Sequence, residues 1–197
     1  MRIAFGGHMV EALNRSIRGQ TVKTSKVETS QRLEQEVSYW VCESPVGQLL
    51  LVGSLKGLQI LQFQDGAHPL RIQSSWTKVR KPFQDILKQL QEYFDGARTH
   101  FQVNLDLKGT TFQRQVWKAL QEIPYGRTTS YGAIAKQVGR PQASRAVGAA
   151  NGQNPVSIIV PCHRVIGANG QLVGYGGGLP IKQALLELEL SHDSRAK

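Results

Sequence analysis

Three short apolar runs separated by tight turns constrain the fold of this chain more than any other feature of its sequence. The runs VSYWVCES, QLLLVGS and LQILQF begin at Val37 and end at Phe63, and the triplets PVG and LKG between them are turn signals. Runs of this length joined by such short turns are typical of antiparallel neighbours in a sheet. The segment therefore predicts a three-stranded β-meander, with Cys42 in its first strand.

Apolar residues adopt helical spacing in the next part of the sequence. KPFQDILKQLQEYFDG has Pro82 at a helix start, apolar positions three and four apart, and Gly96 as a stop. A short strand is predicted at 101–107, and Thr111 is the candidate N-cap of a second amphipathic helix at 112–123. The order of the elements favours an α+β fold, with a β-rich part followed by a mostly helical part.

The composition divides the chain near Lys108. Residues 1–36 are polar, mixed in charge and without periodicity, and we interpret them as a flexible N-terminal extension. We expect one domain over residues 37–107, a second over residues 108–191 and a short tail over residues 192–197. No run approaches the roughly 18 apolar residues of a membrane span, and the N-terminus lacks the apolar core of a secretory signal. A cytoplasmic protein without a membrane partner is therefore expected.

Positive charge is concentrated in the first half of the second domain. The chain has 24 lysines and arginines against 14 acidic residues, a net charge of +10, which suggests an anionic partner such as nucleic acid. Between Lys108 and Asn151 there are seven basic residues and one acid, Glu122. An ordinary solvated face is the alternative interpretation of this stretch.

The same stretch predicts a helix-turn-helix. TTSYGAIAKQVGRPQASRAVGAANG divides into helices at Tyr131–Val138 and Gln142–Ala150, joined by Gly139-Arg140-Pro141. The second helix has a narrow apolar stripe of Ala143, Ala146, Val147 and Ala150. Its remaining face is small and polar, with Ser144, Arg145, Gly148 and Asn151. This face suits either a helix lying deep in a nucleic-acid groove or a helix pair packed closely through its alanines.

The motif PCHRV places a cysteine beside two basic residues. SIIV at 157–160 predicts a buried strand that Pro161 ends, so Cys162 is expected at a strand end. His163 and Arg164 would lower the pKa of the Cys162 thiol and favour the reactive thiolate. An inert buried thiol is the alternative. No metal is predicted, because the remaining cysteine and histidines are scattered singly along the chain.

A glycine-rich loop and a final helix follow the cysteine. GANGQLVGYGGGLP gives the backbone freedom to approach a flat ligand, and Tyr175 offers a stacking surface. The helix starting at Pro180 is expected to bury Ile181, Ala184, Leu185 and Leu188. Glu189 lies at the border of that stripe, where it could orient His163 or remain an ordinary surface acid.

Taken together, these residues resemble the O6-alkylguanine-DNA alkyltransferases, which move an alkyl group from damaged guanine onto their own cysteine. The resemblance is carried by SYGAIAKQVGRPQASRAVGAANGQNPVSIIVPCHRVIG, by GYGGGLPIK and by the final ELE. It is strong over residues 112–189. Residues from about Val37 resemble the family only in layout, which implies a small β-rich N-terminal domain with a ribonuclease-H-like fold.

The resemblance implies a role for each residue of the motif. Cys162 is the alkyl acceptor, His163 takes its proton through a water, Glu189 orients the histidine and Asn154 braces the cysteine loop. The reaction would be a single irreversible turnover on O6-alkylguanine, and on O4-alkylthymine, in double-stranded DNA, by a monomer that needs no cofactor. The product thioether has no activated bond that water could reopen.

The resemblance also implies how the base is reached. Arg145 fills the gap left by the flipped nucleotide, and Tyr131 helps to turn the base out. The helix-turn-helix face that meets the DNA comprises Arg145, Ser144, Gly148 and Asn151. The pocket for the base comprises Tyr175, Gly176, Gly177, Val165 and Ser157.

Two positions depart from the pattern of some relatives. Ser157 stands where some have a second proline and Gly176 where some have serine. Both changes would widen the pocket. Two other functions stay open at this point: a non-catalytic helix-turn-helix protein that binds lesions or regulates, and a Cys-His hydrolase of acyl or amide substrates.

Overall fold

The computed structural model describes residues 36–65 and 69–192. The predicted N-terminal extension up to residue 35 and the tail beyond residue 192 lie outside the described residues. Within the described part, no helix combines the length and the apolar content needed to cross a bilayer.

The first part of the described chain is the predicted meander. Strands β1 (Ser38–Cys42), β2 (Leu49–Ser54) and β3 (Gly57–Phe63) pair antiparallel in chain order. A two-residue strand, β4 (Thr77–Lys78), adds to β1 in parallel and gives the sheet order β3-β2-β1-β4. The run of apolar residues in β2 is completely buried at the centre of this sheet. The meander prediction is confirmed.

The outer edge of β3 is covered by two irregular segments. The Leu58 amide donates to the Asn104 carbonyl and the Asp106 amide donates to the Leu58 carbonyl, and together these two hydrogen bonds form one isolated parallel bridge between Leu58 and Leu105. The predicted strand at 101–107 is therefore wrong, because its pairing is confined to these two hydrogen bonds. Gly57 allows the approach, since a Cβ at Gly57 would lie 2.5 Å from the Asn104 carbonyl oxygen.

The first helix is confirmed, with a modified start. Pro82 lies in a 3-10 turn, Lys81–Phe83, and helix α1 then runs over Gln84–Phe94. Its buried face carries Leu90 and Tyr93. Gly96, with φ of +72°, follows the end of the helix in a conformation that favours glycine.

The second part is mostly helical. Helix α2 (Thr111–Gln121) has Thr110 as its N-cap, in a capping box with Gln113, so the prediction of Thr111 as the cap is wrong by one residue. The remaining elements are β5 (Thr129–Ser130), α3 (Tyr131–Gln137), α4 (Ser144–Gly152), β6 (Val165–Ile166) and α5 (Leu179–His192). The β5 and β6 strands pair in parallel. The helix-turn-helix is thus α3 and α4, and its α4 begins two residues later than expected.

Three positions differ from the predicted helix faces. On α4, Val147 and Ala150 are buried, whereas Ala146 is exposed and Asn151, expected on the outer face, is buried. On α5, Ala184 is exposed. The apolar stripes are narrower than the sequence suggested, because each helix packs through only one or two apolar residues per turn.

Candidate active site

The segment before Cys162 is buried but is not a strand. Residues 157–160 form consecutive turns, and Ile158 has φ of +70°, a strained value for a β-branched residue. The segment is attached to β3, because the Leu61 amide donates to Pro155 at 2.9 Å and the Ser157 amide donates to Leu61 at 2.8 Å. The predicted strand at 157–160 is therefore wrong. Hydrogen bonds to β3 hold this apolar run in turns instead of an extended conformation.

Cys162 begins a 3-10 turn over Cys162–Arg164 rather than ending a strand. Asn154 holds the approach to this turn. Its Nδ2 donates to the Val160 carbonyl at 2.7 Å and to Cys162 Sγ at 3.1 Å, while its Oδ1 accepts from the Val156 amide at 3.1 Å. One amide side chain therefore fixes both the Val160 backbone and the Cys162 sulfur.

The electrostatic surroundings of Cys162 differ from those expected. Burial raises the pKa of the Cys162 thiol, and the hydrogen bond from Asn154 and the charge of Lys182 partly oppose this rise. The prediction that the charges of His163 and Arg164 lower this pKa is wrong, because neither charge contributes and His163 opposes the rise only through its backbone. Burial lowers the pKa of His163, which favours its neutral form, and Arg164 makes its contacts with Glu189 instead.

Glu189 is the centre of a buried hydrogen-bond network. Its Oε1 accepts from His163 Nε2 at 2.8 Å, Tyr93 OH at 2.7 Å and Arg164 Nη2 at 2.9 Å. Its Oε2 accepts from Arg164 Nε at 2.9 Å and the Gly126 amide at 3.1 Å. Burial alone would raise the pKa of Glu189, but the hydrogen bonds and charges of His163 and Arg164 outweigh it and lower the pKa to about 2. Glu189 is therefore an ionised acceptor.

The Glu189 contact determines the tautomer of His163. A carboxylate can only accept, so His163 Nε2 carries the hydrogen and Nδ1 carries the lone pair. Nδ1 is buried and makes no hydrogen bond with any residue that the structure describes. A neutral imidazole with its basic nitrogen unused, one residue from a cysteine, is suited to accept a proton from the thiol.

Lys182 is a buried charge that the sequence analysis missed. Its Nζ donates to the carbonyls of Val165 at 2.6 Å and Val173 at 2.8 Å, which ties the glycine-rich loop to β6. Lys182 is three residues before Leu185 and seven before Glu189, so it shares their helix face. The helical phase that placed Glu189 at the border of the buried stripe could therefore have identified Lys182.

A cavity of about 230 Å³ opens beside Cys162. Its lining brings together the predicted residues Cys162, Asn154, Ser157, Tyr175 and Gly176, and adds Gln62, Phe63, Asn151, Gly152 and Gly174. Two predicted pocket residues are elsewhere. Val165 is buried and does not line the cavity. Gly177 does not line it either; it packs against the Phe63 ring so closely that a Cβ would lie 2.7 Å from that ring.

Residues predicted to meet DNA occupy two different environments. Arg145 is exposed near the start of α4, and Ser144 and Gly148 are half-buried on the same helix. Asn151 is buried in the wall of the cavity, with its Oδ1 unpaired within the described residues, because α4 turns its last residues toward Cys162. The half-buried Tyr131 lies against Gly148, and burial and the nearby Cys162 raise the pKa of its phenol.

No group of three or more metal-binding side chains occurs within residues 36–65 and 69–192. The absence of a bound metal in this protein stays a prediction from the sequence.

Two family models together match most of this chain. Residues 37–107 match the family model of the 6-O-methylguanine DNA methyltransferase, ribonuclease-like domain, and residues 111–191 match that of its DNA binding domain. Methylated-DNA--protein-cysteine methyltransferase of Methanosarcina acetivorans is 52% identical, covering 77% of this chain and 97% of that protein. The Mycobacterium leprae protein of the same name is 55% identical, covering 75% and 88%.

A solved structure gives the same picture. The crystal structure of Mycobacterium tuberculosis OGT in complex with DNA is 52% identical in sequence and superimposes with a TM-score of 0.74. It covers 79% of this chain and 94% of that one. The α+β architecture expected from the sequence, with a β-rich domain followed by a helical one, agrees with both family descriptions.

Proposed function

This chain belongs to the 6-O-methylguanine DNA methyltransferase family, and from that premise we propose that Cys162 accepts the alkyl group of O6-alkylguanine in double-stranded DNA. The activity is that of a methylated-DNA--protein-cysteine methyltransferase, a DNA repair alkyl transfer. One observation carries the assignment of Cys162. Its sulfur lies in the wall of a cavity, within 3.1 Å of a hydrogen-bond donor and one residue from a neutral histidine with an unused basic nitrogen.

The chemistry follows from these contacts. His163 Nδ1 takes the thiol proton, through one water, while Glu189 keeps the Nε2 hydrogen in place. The thiolate attacks the saturated carbon, a C–S bond forms, and the bond between that carbon and guanine O6 breaks. The proton passes back to the departing guanine, which leaves in its neutral form. Asn154 Nδ2 stabilises the thiolate before attack. The thioether is stable to water, so each molecule reacts once.

The base must leave the duplex to reach the cavity. An alkyl carbon on a stacked guanine is inaccessible to a side chain, so the nucleotide is flipped. The exposed Arg145 would fill the resulting gap. Tyr131 lies beside Gly148 of α4 and is close enough to Cys162 for that group to raise its pKa, so its hydroxyl could donate to the base. Tyr175, Ser157 and the Gly176 backbone enclose the base. Acceptance of O4-alkylthymine is part of the same proposal.

The remaining features concern the cellular setting. The net charge of +10 favours association with the phosphate backbone. All the reacting side chains come from one chain, which supports a monomer, and a reaction that requires a reduced thiol suits the cytoplasm.

Intact-mass analysis tests the proposal. Incubation with a duplex carrying O6-methylguanine should add one methyl group, located on Cys162 by peptide mapping, and repaired product should plateau at one equivalent. Binding without a mass gain would contradict the proposal and favour a lesion-binding protein. Repeated turnover without an adduct would favour a hydrolase.

A further inference from the structure

One donor to Glu189 comes from outside the helical domain. His163, Arg164 and Gly126 lie within residues 111–191, the DNA-binding domain. Tyr93 lies on α1, within the ribonuclease-like domain at 37–107, and its hydroxyl donates to Glu189 Oε1 at 2.7 Å. The carboxylate that holds the histidine therefore also receives a hydrogen bond from the other domain.

The direction of the Tyr93 hydroxyl is fixed by packing. The side chain is fully buried, and its ring lies 5.4 Å from Phe94, 5.4 Å from Phe101 and 6.0 Å from Tyr125, measured between ring centroids. Burial and the negative charge of Glu189 raise the pKa of Tyr93 well above its usual value, so the phenol keeps its proton. Tyr93 is thus a permanent donor with a defined orientation.

Tyr93 and His163 share one oxygen atom. Both donate to Oε1 of Glu189, so each hydrogen bond draws on the same negative charge. A strong hydrogen bond from Tyr93 weakens the hydrogen bond that Oε1 accepts from His163 Nε2. The imidazole Nδ1 then becomes less basic. Loss of the Tyr93 bond would have the opposite effect.

We propose that Tyr93 is a positioning residue for the alkyl transfer, through which the ribonuclease-like domain sets the orientation and basicity of His163 by way of Glu189. The inference rests on the proposed function, since it assumes that His163 accepts the Cys162 proton. Tyr93 contacts neither the cysteine nor the cavity beside it. It acts through the carboxylate.

Other ionisable groups also face His163 and stay constant in the test. Glu189 and Lys182 lie on α5, Arg164 and Cys162 lie on the same turn, and the Tyr175 ring of the glycine-rich loop is 6.5 Å away. Tyr125 lies beyond Arg164, with its ring 5.7 Å from the guanidinium. A substitution at Tyr93 alters only the donor to Oε1.

The test compares Tyr93→Phe with Tyr39→Phe, which removes a hydroxyl from the same domain beside Trp76. Single-turnover rates on a duplex with O6-methylguanine are measured from pH 5 to pH 8. In Tyr93→Phe the pKa of His163 rises, so the acidic limb of the profile moves to higher pH. At a pH on that limb the rate falls roughly 2- to 10-fold. DNA affinity stays unchanged, and Tyr39→Phe follows the unmodified protein.

A second variant keeps the test independent of folding. Incorporation of 3-fluorotyrosine at position 93 preserves the ring and strengthens the donor, so the acidic limb moves to lower pH. An unmoved limb in both Tyr93 variants, or in the fluorotyrosine variant alone where Tyr93→Phe does not fold, overturns the inference. If the unmodified protein and Tyr39→Phe also fail to methylate Cys162, the proposed function itself has failed.

Discussion

The two cysteines of this chain occupy regions that look alike in isolation. Burial raises the pKa of both thiols, and each lies in the wall of a cavity, about 440 Å³ at Cys42 and about 230 Å³ at Cys162. The neighbours differ. Glu43 raises the pKa of Cys42 further and Arg80 opposes it, whereas Cys162 has the Asn154 donor, the Lys182 charge and an adjacent histidine.

The comparison shows that neither the size of the cavity nor the acidity of the isolated thiol identifies the reactive cysteine. A raised pKa protects a thiol until a base removes its proton, and only Cys162 has a histidine beside it in sequence. We therefore expect the donor and the base together to activate the buried Cys162 thiol toward DNA, whereas Cys42 has no adjacent histidine.

The largest expected effect is the loss of methyl transfer when Cys162 is replaced, in contrast to replacement of Cys42. Cys162→Ser should abolish methyl transfer while duplex binding persists, because phosphate contacts come from other residues. Cys42→Ser should retain transfer. Oligonucleotide repair and gel-shift assays measure the two properties. Loss of transfer in a folded Cys42→Ser protein would mean that the two regions share the reaction.

Replacement of Glu189 tests the base that distinguishes the Cys162 region. Glu189→Gln leaves Arg164 buried without its carboxylate, which should cost about 3–5 kcal/mol of unfolding free energy. Denaturant unfolding measures the loss. Transfer to Cys162 should slow because His163 loses its partner, while the reaction of Cys42 with a small thiol reagent should not change. A variant as stable as the unmodified protein would contradict the network.

The pH dependence of stability provides a control for the same substitution. The pKa of Glu189 is about 2 in the folded protein, against an ordinary value of 4.5, so its contribution is present above about pH 4.5. This contribution to the free energy of unfolding, on the order of 3 kcal/mol, is lost as the pH falls toward 2. Glu189→Gln should lack this component of the acid dependence.

Alkylation of the two thiols should affect stability differently. A methyl group on Cys162 must fit beside Asn154 in a packed site and would strain the hydrogen bond from Asn154 to Sγ, so the adduct should lose about 1–3 kcal/mol of unfolding free energy. A benzyl adduct should lose more. Methylation of the half-buried Cys42 should have little effect. Melting curves measure both, and an unchanged or raised midpoint for both Cys162 adducts would refute this account.

The smallest expected effect concerns Arg145, which acts on Cys162 only through DNA. Arg145→Ala should slow repair of duplex roughly tenfold, because the flipped state loses the side chain that fills the gap. The reaction with free O6-benzylguanine should stay almost unchanged. The ratio of the two rates is the measurement, and equal slowing of both substrates would assign Arg145 to the pocket.

The sequence predicted the elements whose pattern is local. The meander and the amphipathic helices follow from periodicity, which also placed Glu189 at the border of a buried stripe, and the structure buries it fully. Thr110 rather than Thr111 is the cap because Gln113, three residues later, completes a capping box, whereas Arg114 stands at that distance from Thr111. Such differences of one or two residues at helix ends are small.

The parts that could not be predicted depend on distant partners. The 157–160 run has the composition of a strand, but the contacts of Leu61 and Asn154 fold it into turns. Lysine is usually a surface residue, yet Lys182 is buried, and its Nζ donates hydrogen bonds to two carbonyls outside its helix. Tyr93 contributes to the network from 96 positions away in sequence. The 157–160 turns and the Tyr93 contact leave no local signal, whereas the helical phase of Lys182 is readable from the sequence but does not show which carbonyls it meets.

The cover over the outer edge of β3 has a consequence for aggregation. The exposed backbone groups of an edge strand can template pairing with another molecule, and GLQILQF contains no charged residue and no proline. Half of the cover is the 155–157 segment, which Asn154 joins to Cys162. Displacement of that segment by a bulky adduct would break its hydrogen bonds to Leu61. The backbone groups of β3 at Leu61 would then be exposed and able to pair with another strand. Protein molecules alkylated on Cys162 would then tend to associate with one another.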